Sequence, residues 1–220
     1  MANDKNYLLI SKGGSISAYD KASIAAVLRA YIDTLDGKPG EDWAGDKFRV
    51  SRSLWESFDT AIGPTREIRL FNSLCTDRNF RIAGGFGAHN YAYSDGTIVD
   101  TEEDLEGTAD GTTEFTNIVI ITKNRKLFMY PDKIPVDTST AAKVTLTEAL
   151  NKYIEKKLGY GRAFHAVAET WKEITEVKNT DGTLKSADIT WLISVFNSLC
   201  KAESDEISLV LVNPEYTYNP

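Results

Sequence analysis

The sequence is poor in the residues that most often build metal centres and catalytic sites. Among its 220 residues there are only two Cys, two His and two Met. The cysteines, Cys75 and Cys200, form no CxxC motif and are too few for the disulfide framework of a small secreted domain. The histidines, His89 and His165, have no second histidine at metal-binding spacing. We therefore expect no zinc site of the usual type.

Long apolar segments and an excess of basic charge are also missing. No run approaches the roughly 18 to 20 apolar residues that cross a bilayer, so we expect no membrane insertion. The first residues contain no basic stretch followed by an apolar core, so we expect no secretory signal and synthesis in the cytoplasm. The formal net charge is -7, which argues against a nucleic acid partner because the phosphate backbone repels acidic surfaces.

This acidity is concentrated in one segment. Between Ile82 and Thr122 there is no Lys or Arg, whereas eight residues are Asp or Glu. Such a composition is typical of a solvated linker, and the spacing of its acids does not fit the EF-hand pattern. Two alternatives remain open: an irregular cation site that includes Asp100, Glu102 and Asp104, and a docking strip for a basic partner.

What the chain does contain is an internal repeat. The segment Leu-Phe-Asn-Ser-Leu-Cys at 70–75 returns as Val-Phe-Asn-Ser-Leu-Cys at 195–200. Three further matches come in the same order, and the separation varies between 111 residues (Asn6 and Asn117) and 125 (Leu70 and Val195). Insertions in loops explain such drift. We therefore predict a tandem duplication, with repeat one at 1–83, an acidic Gly-containing connection at 84–114 and repeat two at 115–220.

Each repeat follows one pattern of hydrophobic periodicity. It opens with two short apolar strands joined by a Gly- or Asn-containing turn, which predicts a β-hairpin. The period then changes from two to 3.6 over three helices. The second helix of repeat one includes Val50 and Phe58, and closing strands are expected at 80–83 and 206–212. The predicted fold class is α+β, a tandem duplication of a ββαααβ unit.

Several side chains recur at equivalent positions of the two repeats. Cys75 and Cys200 occupy the apolar face of equivalent helices, so we expect each to fill its own core. Trp171 is expected to anchor the second core. Asn72 and Asn197 are not favoured within helices, so we expect each to bond a neighbouring backbone group or the other repeat.

The candidate binding residues lie at positions that have no counterpart in the other repeat. The glycine-dense stretch at 84–88 lacks the Lys of a phosphate-binding loop, and no helix start follows it as a dinucleotide site requires, so we expect no cofactor there. A flexible or hairpin-forming loop is expected instead. Aromatic residues without a counterpart are better suited to a surface specific to one repeat. The candidates are Trp43, Trp191, His89, Tyr91 and Tyr93.

The matched positions are almost all apolar, whereas a duplicated catalytic site would match polar ones. We therefore expect no catalytic residue, and a non-enzymatic structural or assembly protein that acts through protein–protein contacts, with self-association into a homo-oligomer as a further expectation. A bacteriophage virion is the assembly we expect to contain it. One alternative is a small binding or regulatory protein that holds a ligand or host protein between its repeats. A hydrolase-type enzyme is the third hypothesis.

Overall fold

A computed structural model describes most of the chain. The described residues are 6–11, 14–19, 23–36, 63–87, 90–94, 97–99, 114–134 and 141–218. Helices and antiparallel strands are mixed in them, which confirms the α+β class. The helix predicted around Val50 and Phe58 lies outside these residues. Within them, no helix has both the length and the apolar composition needed to cross a bilayer.

The first sheet has four antiparallel strands in the order β11-β3-β1-β2. The N-terminal hairpin joins β1 to β2, and two helices, α1 and α2, precede β3 in the chain. These elements are β1 Asn6–Ile10, β2 Ile16–Tyr19, α1 Ile24–Asp36, α2 Pro64–Leu74, β3 Ile82–Gly87 and β11 Glu215–Tyr218. The strand that completes this sheet therefore comes from the far end of the described chain.

The second sheet has five antiparallel strands in the order β5-β4-β10-β7-β8. A separate two-stranded ladder joins β6 to β9. The strands are β4 Asn90–Ser94, β5 Thr97–Val99, β6 Glu114–Phe115, β7 Ile118–Thr122, β8 Leu127–Tyr130, β9 Val144–Thr145 and β10 Ile207–Val212. The helices are α3 Leu146–Tyr153, continued by a π-helical turn at Ile154–Leu158, then α4 Ala168–Thr175 and α5 Ile189–Leu199.

Two hydrophobic cores lie under these sheets. In the first, β1 packs with α1 and α2 around Leu28, Ile68 and Phe71, which are all at most 1% exposed. In the second, β7 and β10 pack with α3, α4 and α5 around Phe196 and Trp171. Trp171 is 2% exposed, which confirms its predicted position as a core anchor. Amphipathic helices over one sheet face are the arrangement that the 3.6-residue period predicted.

Strands β1, β3, β7 and β10 also carry buried residues on the face turned away from these cores. Val119 and Leu211 alternate with core residues along β7 and β10, yet both are fully buried. Tyr7 and Phe86 are paired on β1 and β3 and are likewise buried. A strand buried on both faces is a near-continuous apolar run, which explains the sequence Ile-Val-Ile-Ile in β7.

The chain shows the same element spacing from residue 64 and from residue 189. A helix, a 3-10 turn, a closing strand and one further strand follow one another, and each pair begins 125 residues apart (64 and 189, 78 and 203, 82 and 207, 90 and 215). The further strands are β4 and β11. The spacing shared by sequence and structure therefore extends beyond the predicted closing strands.

The chain forms two compact units, Asp4–Ala88 with Glu215–Pro220, and Met1–Asn3 with His89–Pro214. The repeat boundaries predicted at residues 83 and 115 stay a prediction.

The expected loop in the glycine stretch is wrong, because Gly84 to Gly87 form the second half of β3. A Cβ built on Gly85 would lie 3.4 Å from Ile24 Cδ1, which is ordinary van der Waals contact, so α1 packs against the strand at this residue.

Candidate functional site

The edge strands β4 and β11 form the most unusual feature of the molecule. Strand β3 leads directly towards β4, but β4 pairs with β10 in the other unit. Strand β10 leads directly towards β11, but β11 pairs with β3 in the first unit. Each sheet is thus completed by the strand that follows the closing strand of the other sheet. We call β4 and β11 the exchanged strands.

The two exchanged strands pair in closely similar ways. Both are antiparallel to their acceptor strands. In one, Tyr91 lies opposite Val210, and in the other, Tyr216 lies opposite Phe86. Both strands contain a Tyr-x-Tyr sequence, at 91–93 and at 216–218. The similar pattern and pairing indicate that exchange is a property of both halves of the chain.

The residues that precede the exchanged strands are poorly suited to a local hairpin. A two-residue β-hairpin requires positive φ at one or both central positions, and favours Asn-Gly or Gly-x. The corresponding pairs here are Ala88-His89 and Asn213-Pro214. Proline cannot adopt the positive φ that a type I′ turn needs at its second central position, and the first pair contains no Gly or Asn. The sequence thus disfavours the tight turn that would return each strand to its own sheet.

Asn213 anchors the chain at the point where it leaves β10. Its φ of 46° lies in the left-handed region, which Asn tolerates better than most residues. Its backbone N–H donates to Asn117 O at 2.9 Å. Its side-chain Oδ1 accepts hydrogen bonds from Thr116 N at 2.7 Å and from Thr116 Oγ1 at 2.6 Å. The exit point of β11 is therefore bonded to the start of β7.

A second pair of asparagines secures the acceptor strands. Asn72 Nδ2 donates to Ile82 O at 2.7 Å, and Ile82 N donates to Asn72 Oδ1 at 2.8 Å. Asn197 bonds Ile207 in the same way, at 3.0 and 2.8 Å. Each asparagine thus satisfies both backbone groups of the first residue of a closing strand. Of the two predicted partners, the neighbouring backbone is the one observed.

A shallow groove of about 470 Å³ lies beside β8 and α3. Phe128 and Tyr130 form one side of it. Its charged groups are already paired: Lys156 bonds Asp132, and Lys152 Nζ lies 3.2 Å from Glu155 Oε2. Tyr130 donates its hydroxyl to Glu148, and burial raises the pKa of that hydroxyl. These groups bond one another rather than converge on a common point.

The cysteines behave as the repeat pattern predicts. Cys75 is buried in the first core, and Cys200 packs against the second. Both thiols are free. Burial raises the pKa of Cys75, and it raises the pKa of Cys200 to about 12 with smaller contributions from Glu206 and Asp205. Because the thiolate is the nucleophilic form, neither thiol is activated.

The candidate binding residues fall in different places. Trp191 lies on α5, partly buried against the second core, with Lys185 Nζ 5.8 Å from the centroid of its ring. Tyr91 and Tyr93 lie in the exchanged strand β4. Trp43 and His89 lie outside the described residues, as do the candidate cation ligands Asp100, Glu102 and Asp104. The structure thus brings only Tyr91 and Tyr93 together, on one strand.

In the described part of the chain, no three side chains of His, Cys, Asp or Glu lie close enough to hold a metal ion. The residues that matter most for the exchanged strands were not singled out from the sequence. They are Asn213, Pro214 and the second Tyr-x-Tyr at 216–218. The repeated tyrosines, 125 residues apart, were the signal that could have identified them.

Comparison with known proteins identified no relative of the chain. No family model matches the chain, and no curated protein or solved structure shows significant similarity to it.

Proposed function

We propose that this chain is a non-enzymatic structural protein, built from two duplicated ββαααβ units, that acts through protein–protein contacts in a larger assembly. The exchanged strands are the observation that carries the proposal. A strand from one half of the chain that completes a sheet containing the other half's closing strand joins the two halves through backbone hydrogen bonds. Such pairing needs no catalytic group.

The duplication itself is supported by matched contacts. The asparagine pairs at 72 and 197 bond the same backbone groups of equivalent strands. In the hairpin turns, Gly14 and Arg125 have nearly the same left-handed φ, 64° and 62°. Two unrelated sequences would have little reason to share these details. We infer that each half of the chain descends from one unit that exchanged strands with an identical partner.

A bacteriophage particle is the assembly we propose to contain this protein. The test is sedimentation of the purified chain, alone and mixed with purified particles, over a wide concentration range. We expect self-association, or co-sedimentation with the particles. A chain that stays monomeric throughout, and that remains in the supernatant when the particles sediment, would contradict the proposal. As a control, a variant with its acidic residues at 100–106 changed to Asn and Gln shows whether binding depends on that acidic segment.

A further inference from the structure

We propose that the partner of this chain is a second copy of itself, joined by an intermolecular version of the exchange in which each copy's β11 pairs with β3 of the other. The inference rests on the proposed assembly function and names the surface that serves it. The surface is the edge of β3, Ile82–Gly87, which β11 of the same chain covers in the structure.

The edge of β3 recognises a strand mainly through its backbone. Three of its six residues, Gly84, Gly85 and Gly87, have no side chain, and they lie opposite Tyr218, Thr217 and Glu215. Main-chain hydrogen bonds therefore provide most of the affinity at this edge. A β11 strand from another copy has the same sequence and register, so it satisfies the edge equally well.

The position of β11 in the chain suits a strand that pairs with another copy. Asn213 is bonded to Thr116 and Asn117, so the end of β10 is anchored within its own unit. The chain passes into the other unit between Pro214 and Glu215. The donated strand β11 has β3 as its only hydrogen-bonded neighbour strand within the described residues. A strand at an edge can separate without breaking the order of the strands behind it.

The effective concentration of the tethered β11 decides whether β3 pairs with β11 of its own chain or with β11 of a second copy. A strand tethered within the same chain competes at an effective concentration of about a millimolar. Exchange between two copies forms the same hydrogen bonds twice, so its enthalpy is nearly balanced and high protein concentration favours it. A dimer that exchanges two strands reciprocally leaves neither β3 edge unpaired, whereas an open chain of copies would leave one exposed.

Cysteine pairs across β3 and β11 test the proposal. Gly87 lies opposite Glu215, and opposed residues of antiparallel strands have Cα atoms about 4.5 to 5.5 Å apart, within the range of a disulfide. One chain carries Gly87→Cys and a second carries Glu215→Cys. They are mixed in denaturant, refolded together at low and high concentration, and oxidised. The 87–215 linkage is identified by mass spectrometry of the digested product.

We expect a disulfide-linked dimer of twice 24.4 kDa, containing the 87–215 linkage, in an amount that grows with protein concentration. The matched control pairs Gly87→Cys with Tyr218→Cys, three residues out of register, and should give only background. A single chain carrying both Gly87→Cys and Glu215→Cys should form the linkage within itself.

Two results would overturn the proposal. In one, the double variant forms its internal linkage while the mixed single variants never form it between chains. In the other, even the double variant forms no linkage, so the register is wrong. If wild-type chains nevertheless associate or bind particles in the sedimentation experiment, the assembly function survives and only this route to it fails.

Discussion

Individual asparagines make the hydrogen bonds at the points where strands of this protein begin or end. Asn72 and Asn197 each bond both backbone polar groups of the first residue of a closing strand. Asn213 combines a left-handed backbone with three accepted hydrogen bonds. Because short amide side chains can imitate backbone groups, Asn is well suited to all three positions.

Replacing Asn197 with Leu should destabilise the fold strongly. Leu preserves the volume but leaves both Ile207 N and Ile207 O without the side-chain partner, in a site where Asn197 is 6% exposed. We expect a loss of about 2 to 3 kcal/mol in the free energy of unfolding, measured by urea denaturation. Ser198→Ala on the exposed side of the same helix is the control, with a change within about 0.5 kcal/mol. Equal effects of the two substitutions would contradict the role given to Asn197.

The buried carboxylate of Glu67 should make stability depend on pH. Glu67 is 4% exposed, and neither carboxylate oxygen has a hydrogen-bond partner among the residues that the structure describes. Burial raises its pKa, although the charge of Arg29 partly opposes this. The folded chain therefore binds this proton more tightly than the unfolded chain does, so its contribution to stability falls as pH rises above the ordinary range of Glu.

Glu67→Gln removes this ionisation. We expect the variant to be more stable than the wild type at neutral pH, with the advantage disappearing below about pH 4, the ordinary pKa of Glu. Thermal unfolding of both proteins across this range measures the difference. Glu169→Gln, at an exposed position of α4, is the control and should show no such trend. A Gln variant that is less stable at neutral pH would argue that Glu67 is ionised and stabilised by Arg29.

At the scale of secondary structure, local periodicity predicts most elements but not their partners. The hairpins, the helix stripes and both cores follow from alternation and 3.6-residue spacing, since these patterns depend on neighbours in sequence. The exchanged strands could not be predicted in the same way. The tyrosines at 91 and 216 are typical of strands, but the sequence of neither strand indicates whether it pairs with β3 or with β10. The loop expected at the glycines was wrong because these residues pair with β1 and β11, which lie far from them in the sequence.

The hairpin turns offer a matched comparison between the two halves. Arg125 has a φ of 62°, where Gly14 stands in the other hairpin with a φ of 64°. An L-residue with a side chain pays a conformational cost there that glycine does not. We expect Arg125→Gly to raise the free energy of unfolding by up to about 1 kcal/mol, and Gly14→Arg to lower it. Chemical denaturation of both variants tests this, and a destabilised Arg125→Gly protein would contradict it.

At the scale of the whole molecule, the exchanged strands couple the two halves of the chain. The sheet of each unit contains a strand from the other half, so neither half has a complete sheet by itself. In this respect the chain resembles a strand-exchanged dimer whose subunits have been fused. The acidic segment between the halves is then a connection rather than the element that keeps them together.

Cleavage of that segment tests the central claim most directly. A specific protease site is placed between Asp104 and Leu105, the folded protein is cut, and the fragments are applied to a size-exclusion column in native buffer. We predict that the two fragments elute together at the volume of the intact chain. In a control protein, Tyr216→Pro and Thr217→Pro remove the N–H groups on both sides of β11, so one exchanged strand is lost and the fragments should separate more readily. Fragments that separate at once in the unmutated protein, or that stay together equally well in the control, would contradict the account.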